Sequence, residues 1–383
     1  MTIFIDVEWA SLSKSGEELC GDNVEVVRTA DSLVAVLADG LGSGVKANIL
    51  STMTAKIIAT MLKNGATLEE VVETVSHTLP VCQKRNLAYS TFTIIQITMD
   101  GRVYVAEFDN PSLFFLRQGK VIPLRWSELE LYGRRIKESR FQAMPGDVLV
   151  TVSDGVIHAG IGGVLNLGWR WEEVAGYLEK LVNLNPDAQT LSKWLITACD
   201  QLYACQPGDD TTALVFKIRT PRTLTVAVGP PQNKEDDAKI VEMLREEIGT
   251  KVVCGGTTGS IVARELGAEI KVNLKDLDPE IPPYGRLRGV DLVTEGIITL
   301  SKTLETLKKT EEPTESLTQE NAVTMLSKFF LESDNIKFLV GKAINPAHQN
   351  PDLPLNLALK MQVVKEIAET LEQRGKNVEL LYF

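Results

Sequence analysis

The run Ser32-Leu-Val-Ala-Val-Leu-Ala is short and aliphatic, and it ends on the pair Asp39-Gly40, which opens Asp39-Gly40-Leu-Gly42-Ser-Gly44. An apolar run of this length bounded by glycines predicts a buried strand. A carboxylate at the end of such a strand is held rigidly and loses part of its water. Two other segments share the arrangement. Val150-Thr-Val-Ser-Asp154-Gly155 ends a second apolar run, and Gly208-Asp209-Asp210-Thr211-Thr212 opens a third, Ala213–Phe216. Each Asp-Gly pair taken singly is a common turn dipeptide. Three carboxylates at strand edges, far apart in sequence, suggest one metal site assembled by the fold.

Composition narrows the chemistry. With 383 residues, the chain exceeds what one core usually holds, so two domains are expected. A net charge of −11 argues against nucleic-acid or anionic-membrane surfaces, which favour basic patches. No apolar stretch reaches membrane-spanning length, and the start, Met1-Thr-Ile-Phe-Ile-Asp6, lacks the pattern of a signal peptide, so a cytoplasmic protein is expected. Its five cysteines (Cys20, Cys82, Cys199, Cys205, Cys254) form no CxxC pair, and only three histidines occur (His77, His158, His348). Neither a disulfide framework nor a zinc knuckle is indicated. Any metal would be held by oxygen ligands, which suit Mg²⁺ or Mn²⁺.

Along residues 1–219, strand-like runs alternate with two helical blocks. Val45, Ile49, Met53, Ile57 and Met61 recur at spacing four and predict a helix over Gly44–Lys63, with core packing as its simplest role. Thr67 and Glu70 form a capping-box pattern at the start of a second helix. A strand meander follows (Ser90–Met99, Arg102–Phe108, Ser112–Leu116). Helices are then expected over Trp169–Val182 and Thr190–Leu202, and a last strand over Thr211–Ile218. This order lacks the regular alternation of a parallel sheet and fits an antiparallel sandwich covered by helices.

Past Arg219-Thr-Pro221-Arg222 the pattern becomes strand–helix alternation, as expected of a smaller α/β domain over residues 220–383 with a mostly parallel sheet. Lys308–Glu320 is polar and predicts a mobile loop. Cys254-Gly255-Gly256-Thr257-Thr258-Gly259-Ser260 lies between a predicted strand (Lys251–Cys254) and a predicted helix (Ile261–Leu266). Val293-Thr294-Glu295-Gly296 is placed similarly. Loops at the carboxyl ends of parallel strands bind ligands, and helix starts attract anions. Gly255–Gly259 is therefore either an anion site or a tight turn; it lacks the Gly-Lys-Ser/Thr of a Walker A loop. Cys254 is either an activated thiol or a buried structural residue.

Four segments of the first half carry a family resemblance. Cys20-Gly21-Asp22-Asn23, Ala38-Asp39-Gly40-Leu-Gly42-Ser-Gly44, Ser153-Asp154-Gly155 and Asp209-Asp210-Thr211-Thr212 resemble, in order and rough spacing, the motifs of the metal-dependent type 2C (PPM) Ser/Thr protein phosphatases, in the bacterial sporulation-stage-II-E-like branch. Tyr89-Ser-Thr-Phe-Thr is similar to the family's central Ser-Thr strand. The resemblance implies an αββα sandwich of two antiparallel sheets between helical layers. It also implies two Mn²⁺ or Mg²⁺ ions. Asp39 would bridge them, with the Gly40 carbonyl completing one shell, Asp154 and Asp209 on the first ion and Asp22 on the side of the second. The implied reaction is attack of a metal-bound hydroxide on a phosphoserine or phosphothreonine of a phosphoprotein substrate. Three features depart from the branch: Asp109 stands where glycine is usual, Thr211 stands where an apolar residue is usual (Thr212 keeps the expected hydroxyl), and no N-terminal arginine offers itself to the substrate phosphate. The resemblance further implies a switch, in which moving the helix after Gly44 and its successor shifts Asp39-Gly40 and changes metal occupancy. With the motifs beginning close to Met1, regulation is expected from residues 220–383, through a small molecule or protein, or from a partner. A homodimer remains open. The alternative is a phosphatase-like scaffold or ligand-sensing protein acting through its C-terminal domain.

Overall fold

The computed structural model describes residues 2–29, 31–78, 90–274, 280–309, 319–343 and 355–383. The chain divides into two compact units, Met1–Thr220 and Pro221–Phe383.

The first unit contains β1 (Phe4–Leu12), β2 (Asp22–Arg28), β3 (Ser32–Gly40), α1 (Gly44–Lys63), α2 (Leu68–Thr78), β4 (Ser90–Thr98), β5 (Arg102–Phe108), β6 (Phe114–Arg117), β7 (Lys120–Val121), β8 (Ser127–Leu131), β9 (Arg134–Gln142), β10 (Val148–Val152), α3 (Asp154–Ile157), α4 (Trp171–Val182), α5 (Ala188–Leu202) and β11 (Thr211–Arg219). Two antiparallel sheets form, in the orders β1-β11-β10-β6-β7 and β2-β3-β4-β5-β9-β8.

Strand β3 shows why its run is apolar without alternation. Leu33, Ala35 and Leu37 pack between the sheets with Ile95, Leu214 and Phe216. Val34, Val36 and Ala38 face α1 and α2, against Ile58, Val71 and Val75. Both faces are covered, so each side chain withdraws from water, worth about 1.5–3 kcal/mol for a large aliphatic group. Helices α4 and α5 cover the other sheet through Leu178, Leu191 and Leu195. The result is the αββα sandwich that the motifs implied.

The capping box at α2 forms: Thr67 N donates to Glu70 Oε2 at 2.8 Å, and Glu70 N to Thr67 Oγ1 at 3.3 Å. The apolar stripe that predicted α1 behaves differently. Val45, Ile49 and Met53 are exposed, and the helix buries Ala47, Ser51, Thr54, Ala55, Ile58 and Ala59. Small residues face the sheet because the backbone of α1 approaches it closely at Gly40. Strands β8 and β9, on which only Ile136 and Ser139 are buried, had no expectation. Asp109 adopts φ +49°, the left-handed backbone region that glycine enters freely. Tyr89 and Cys82 lie outside the described residues.

The second unit contains β12 (Thr223–Val228), α6 (Asp237–Glu246), β13 (Thr250–Cys254), α7 (Gly256–Leu266), β14 (Lys271–Val272), β15 (Gly285–Leu287), β16 (Val290–Thr294), α8 (Ile297–Lys309), α9 (Ala322–Glu332), β17 (Asn335–Val340), α10 (Leu355–Gln373) and β18 (Asn377–Tyr382). The strand order is β14-β15-β16-β13-β12-β17-β18. Strands β16, β13, β12, β17 and β18 are mutually parallel, and β15 and β14 add an antiparallel edge. Helices α6 and α7 cover one face through Ile240, Leu244 and Val262. Helices α8, α9 and α10 cover the other through Leu300, Phe330 and Ile367. Of the polar stretch Lys308–Glu320, Lys308 and Lys309 complete α8, and residues 310–318 lie outside the described residues. His348 also lies outside them.

Candidate metal centre

At one end of the sandwich, β2 begins, β3 and β10 end, and β11 begins. Antiparallel pairing sets Asp22 directly opposite Asp39, and Asp39 opposite Thr91 on β4. The Ser90 hydroxyl donates to the Asp39 carbonyl at 2.9 Å, fixing the strand end. Gly40 is required by packing: a Cβ there would overlap the Ala47 carbonyl oxygen and stand 2.6 Å from its carbon. The absence of a side chain at Gly40 therefore lets α1 seat against the strand that carries Asp39.

Ser153-Asp154-Gly155 links β10 to α3. Ser153 N donates to Thr212 O at 3.0 Å, and Thr212 N donates to Ser153 Oγ at 2.8 Å. A Cβ on Gly155 would overlap the backbone oxygen of Asp210 and stand 2.6 Å from Thr211 Oγ1. Glycine here allows the Asp209-Asp210 segment to cross beside Asp154. His158 Nδ1 stands 3.7 Å from Asp154 Oδ2.

Asp22 is 5% exposed, and neither of its carboxylate oxygens has a hydrogen-bond partner. Asp210 is 4% exposed. Its Oδ1 accepts from Lys14 N at 3.0 Å, while its buried Oδ2 has no partner. A Cβ on Gly21 would lie 2.6 Å from that Oδ2, so Asp210 reaches the chain immediately before Asp22. Burial pushes the Asp22 carboxyl above its ordinary range, and the charges of Asp210 and Asp154 add to the shift, against the nearby Ser153 and Thr212 hydroxyls. Burial does the same to Asp39, reinforced by Asp22, Asp154, Asp209 and Asp210. Asp209 is raised by burial and by Asp154, with Lys14 acting in the opposite direction. The five carboxylates therefore share one electrostatic environment.

A buried, unpaired carboxylate is costly, so a cluster of them calls for a compensating positive charge. The donor set is oxygen throughout, as Mg²⁺ or Mn²⁺ prefers. Among the described residues no group of three or more acids, histidines or cysteines stands as a preformed metal cage, so the side chains would have to turn inward on their strand ends to close a shell. The residues fit the cations by chemistry and by their orphaned oxygens.

Asp22, Asp39, Asp154 and Asp209 stand at the same end of the sandwich, near enough for their charges to act on one another. The sequence reading noticed Asp210 within its cluster but gave it no role, although it is the more buried of the Asp209-Asp210 pair. Lys14, between β1 and β2, also went unnoticed because no motif surrounds it. Gly255, Gly256, Thr257, Thr258 and Gly259 belong to the second unit. There α7 begins at Gly256, so the expected glycine-rich turn is mostly the helix's first turn. Cys254 is fully buried, with its thiol pushed up to about 12 by burial, which favours the structural reading over the activated thiol.

The sandwich and the acids at its edge define a PP2C-type phosphatase domain. Residues 29–219 match the family model described as Stage II sporulation protein E (SpoIIE), and the first unit belongs to that family. Stage II sporulation protein E of Bacillus subtilis (strain 168) is 24% identical over 238 residues, 59% of this chain. The match spans 28% of the length of that relative. Among solved structures, the PP2C phosphatase domain of SpoIIE from Bacillus subtilis, with a fragment of its regulatory domain, is similar. It shares 21% identity over 57% of this chain and 63% of that chain, at a TM-score of 0.49. The RsbU and RsbW domains of a Mycobacterium tuberculosis protein share 18% identity over 64% of this chain and 68% of theirs, at a TM-score of 0.45. RsbX in complex with magnesium shares 18% identity over 56% of this chain and 95% of its own, at a TM-score of 0.40. Among the described residues no helix is long and apolar enough to cross a membrane.

Proposed function

We propose that the chain is a protein phosphatase that hydrolyses phosphoserine or phosphothreonine on a regulatory protein with the help of two Mn²⁺ or Mg²⁺ ions. The observation that carries this reading is the buried carboxylate set, above all Asp22, whose oxygens make no hydrogen bond. Asp39, with the Gly40 carbonyl beside it, would hold both ions. Asp154 and Asp209 would complete one shell, and Asp22 and Asp210 would support the other side. When bound, such ions lower the pKa of water and orient it for in-line attack on phosphorus.

The protein's own part is positional. The Asp22–Asp39 ladder pair sets the spacing of two acids, and Gly155 lets Asp209 and Asp210 pass close to Asp154. Lys14 lowers the charge burden at Asp209 and is the cation suited to meet the substrate phosphate, in place of the missing arginine. Family membership of the first unit supports phosphatase chemistry, and a cytoplasmic location would suit such a substrate.

The test is release of phosphate from p-nitrophenyl phosphate and from a phosphothreonine peptide, with Mn²⁺ or Mg²⁺, for wild type and Asp39→Asn. The substitution should slow both by about a hundredfold or more, the scale of losing one preorganised electrostatic contact. Equal rates for the two proteins would refute the reading. Lys14→Met should raise KM more than it lowers kcat.

A further inference from the structure

The parallel sheet of the second unit has a topological reversal. From β12 the chain winds outward through β13 to β16, then returns to the other side of β12 to lay down β17 and β18. The reversal falls between β12 and β17. In sheets wound this way the helices diverge at that point and leave a crevice at the carboxyl ends of the strands, where ligands bind.

Here the crevice is rimmed by glycines: Gly229 after β12, Gly255 after β13, Gly296 beyond β16 and Gly341 after β17. They pack backbone to backbone. A Cβ on Gly296 would lie 3.6 Å from the Gly255 Cα. One on Gly255 would lie 4.0 Å from Gly229 N, and one on Gly341 would overlap the Pro230 carbonyl oxygen. The rim has no side chains of its own, and the N–H groups of Gly229, Gly255 and Gly341 are bonded to Cys254 O, Thr294 O and Val228 O, so a ligand there would meet the flanking polar groups.

Two independent features point to a negative ligand. The first is at α7. No side chain caps the helix at Gly255. Thr258, in its first turn, is 2% exposed, and its hydroxyl has no hydrogen-bond partner. That oxygen lies 3.2 Å from the point a Gly255 Cβ would occupy, so it is directed at the rim. The contrast with α9 shows why it is left over. There Thr324, in the same helical position, accepts from the backbone N–H of its cap Asn321 at 3.1 Å. At α7 the corresponding N–H, that of Gly255, is already given to Thr294 O at 2.9 Å.

The second feature is Lys360 on α10. Its Nζ donates to Gly341 O at 2.6 Å and stands 2.5 Å from where a Gly229 Cβ would be. Among the described residues no carboxylate pairs with it, and burial pushes its pKa down. Glu295, in the neighbouring loop, turns to α8 instead, its Oε2 accepting from Ile298 N at 3.1 Å.

The geometry points to an anion site on this rim that takes the phosphate of a small phosphorylated molecule, with Lys360 on one side of Gly229 and the Thr258 hydroxyl and first-turn N–H groups of α7 on the other. A phosphate suits both a desolvated ammonium and an uncapped helix start. The basic hollow at the opposite edge, lined by Arg245, Lys251 and Arg288, is a weaker candidate. Its Arg245 pairs with Glu242 at 3.7 Å, and Lys251 Nζ donates to Arg245 O at 2.7 Å.

The test uses the full chain in EDTA, so that phosphate is not drawn to the N-terminal carboxylates through a cation. Thermal protection of the second unit is titrated with inorganic phosphate, ADP and adenosine, with sodium chloride at matched ionic strength as control. Wild type, Lys360→Gln and Thr258→Val are compared; both variants are near-isosteric. Saturable protection by phosphate or ADP, absent with adenosine, is expected, and its midpoint should rise by about tenfold or more in at least one variant. Protection by ADP alone would indicate a nucleotide, and protection by both would indicate a general phosphate site. No protection by either phosphate or ADP, equal protection by adenosine, or a midpoint unmoved in both variants overturns the proposal.

Discussion

Replacing Gly40 by alanine tests how the Asp39 end of β3 is coupled to α1. The backbone at Gly40 is extended and one that alanine adopts, so any penalty is steric. A Cβ would overlap the Ala47 carbonyl oxygen and stand 2.6 Å from its carbon and 2.8 Å from its Cα, whereas ordinary contact begins at 3.4 Å. These atoms are backbone and cannot rotate away. Relief requires α1 to retreat by on the order of 1 Å, or Asp39-Gly40 to move by a similar amount, and overpacking of this kind costs about 1–3 kcal/mol. The melting temperature of the first unit should fall by about 2–12 °C. An ångström of misplacement near reacting atoms costs up to about a hundredfold in rate, so if Asp39 has the proposed role, p-nitrophenyl phosphate turnover with Mn²⁺ should drop by about ten- to a hundredfold. Gly42→Ala is the matched control. Gly42 has φ +104° but nothing within 4 Å of its Cβ position, so alanine there strains the backbone by about 1–3 kcal/mol without pushing α1. Its turnover should stay close to wild type. Wild-type activity in Gly40→Ala, or an equal loss in Gly42→Ala, would refute the steric coupling.

Two further outcomes are expected. Glu107 is 2% exposed, and burial pushes its carboxyl up to about 7 from 4.5, although Leu113 N donates to it at 2.7 Å. Below pH 4.5 it is protonated both folded and unfolded and carries no penalty. Between 4.5 and 7 the unfolded chain ionises first, so stability falls as pH rises, by at most about 3 kcal/mol, and the loss is complete above 7. Glu107→Gln should therefore gain on wild type from pH 5 to pH 8 in urea unfolding; a gap that does not widen with pH would contradict the assignment. The crowded carboxylates make a second prediction: Mn²⁺ or Mg²⁺ should raise the melting temperature of the first unit and EDTA should lower it. At a hundred times its dissociation constant a cation adds about 2.7 kcal/mol. Asp39→Asn should remove most of this response in calorimetry, and an undiminished response would place the cations elsewhere.

Local signals were legible where the chain carries them locally. The Thr67–Glu70 capping box, the run of β3 and the Asp-Gly pairs are short-range patterns, and each appears where expected. Strands β8 and β9 were not legible, because Arg134–Gln142 is mostly charged and buries only Ile136 and the polar Ser139. Helix α9 was missed beside a polar stretch, although Asn321 caps it. For α1 the period was right and the face half right: Ile57 and Met61 pack against the core, whereas Val45, Ile49 and Met53 are exposed because close approach at Gly40 selects small residues there.

The sequence by itself determined three acids at strand edges, an antiparallel sandwich covered by helices and the strand–helix alternation of the second unit, since these rest on residue type and spacing; the family resemblance added Asp22 and the αββα plan. Only the tertiary structure decided which acids meet. Antiparallel register sets Asp22 against Asp39, and the crossing beside Gly155 brings Asp210 into the same environment, although no motif had given it a part. The strand order likewise decided that Gly229, Gly255, Gly341 and Lys360 share one rim. Neighbours in a sheet are chosen by pairing across long stretches of chain, and no local pattern encodes that choice.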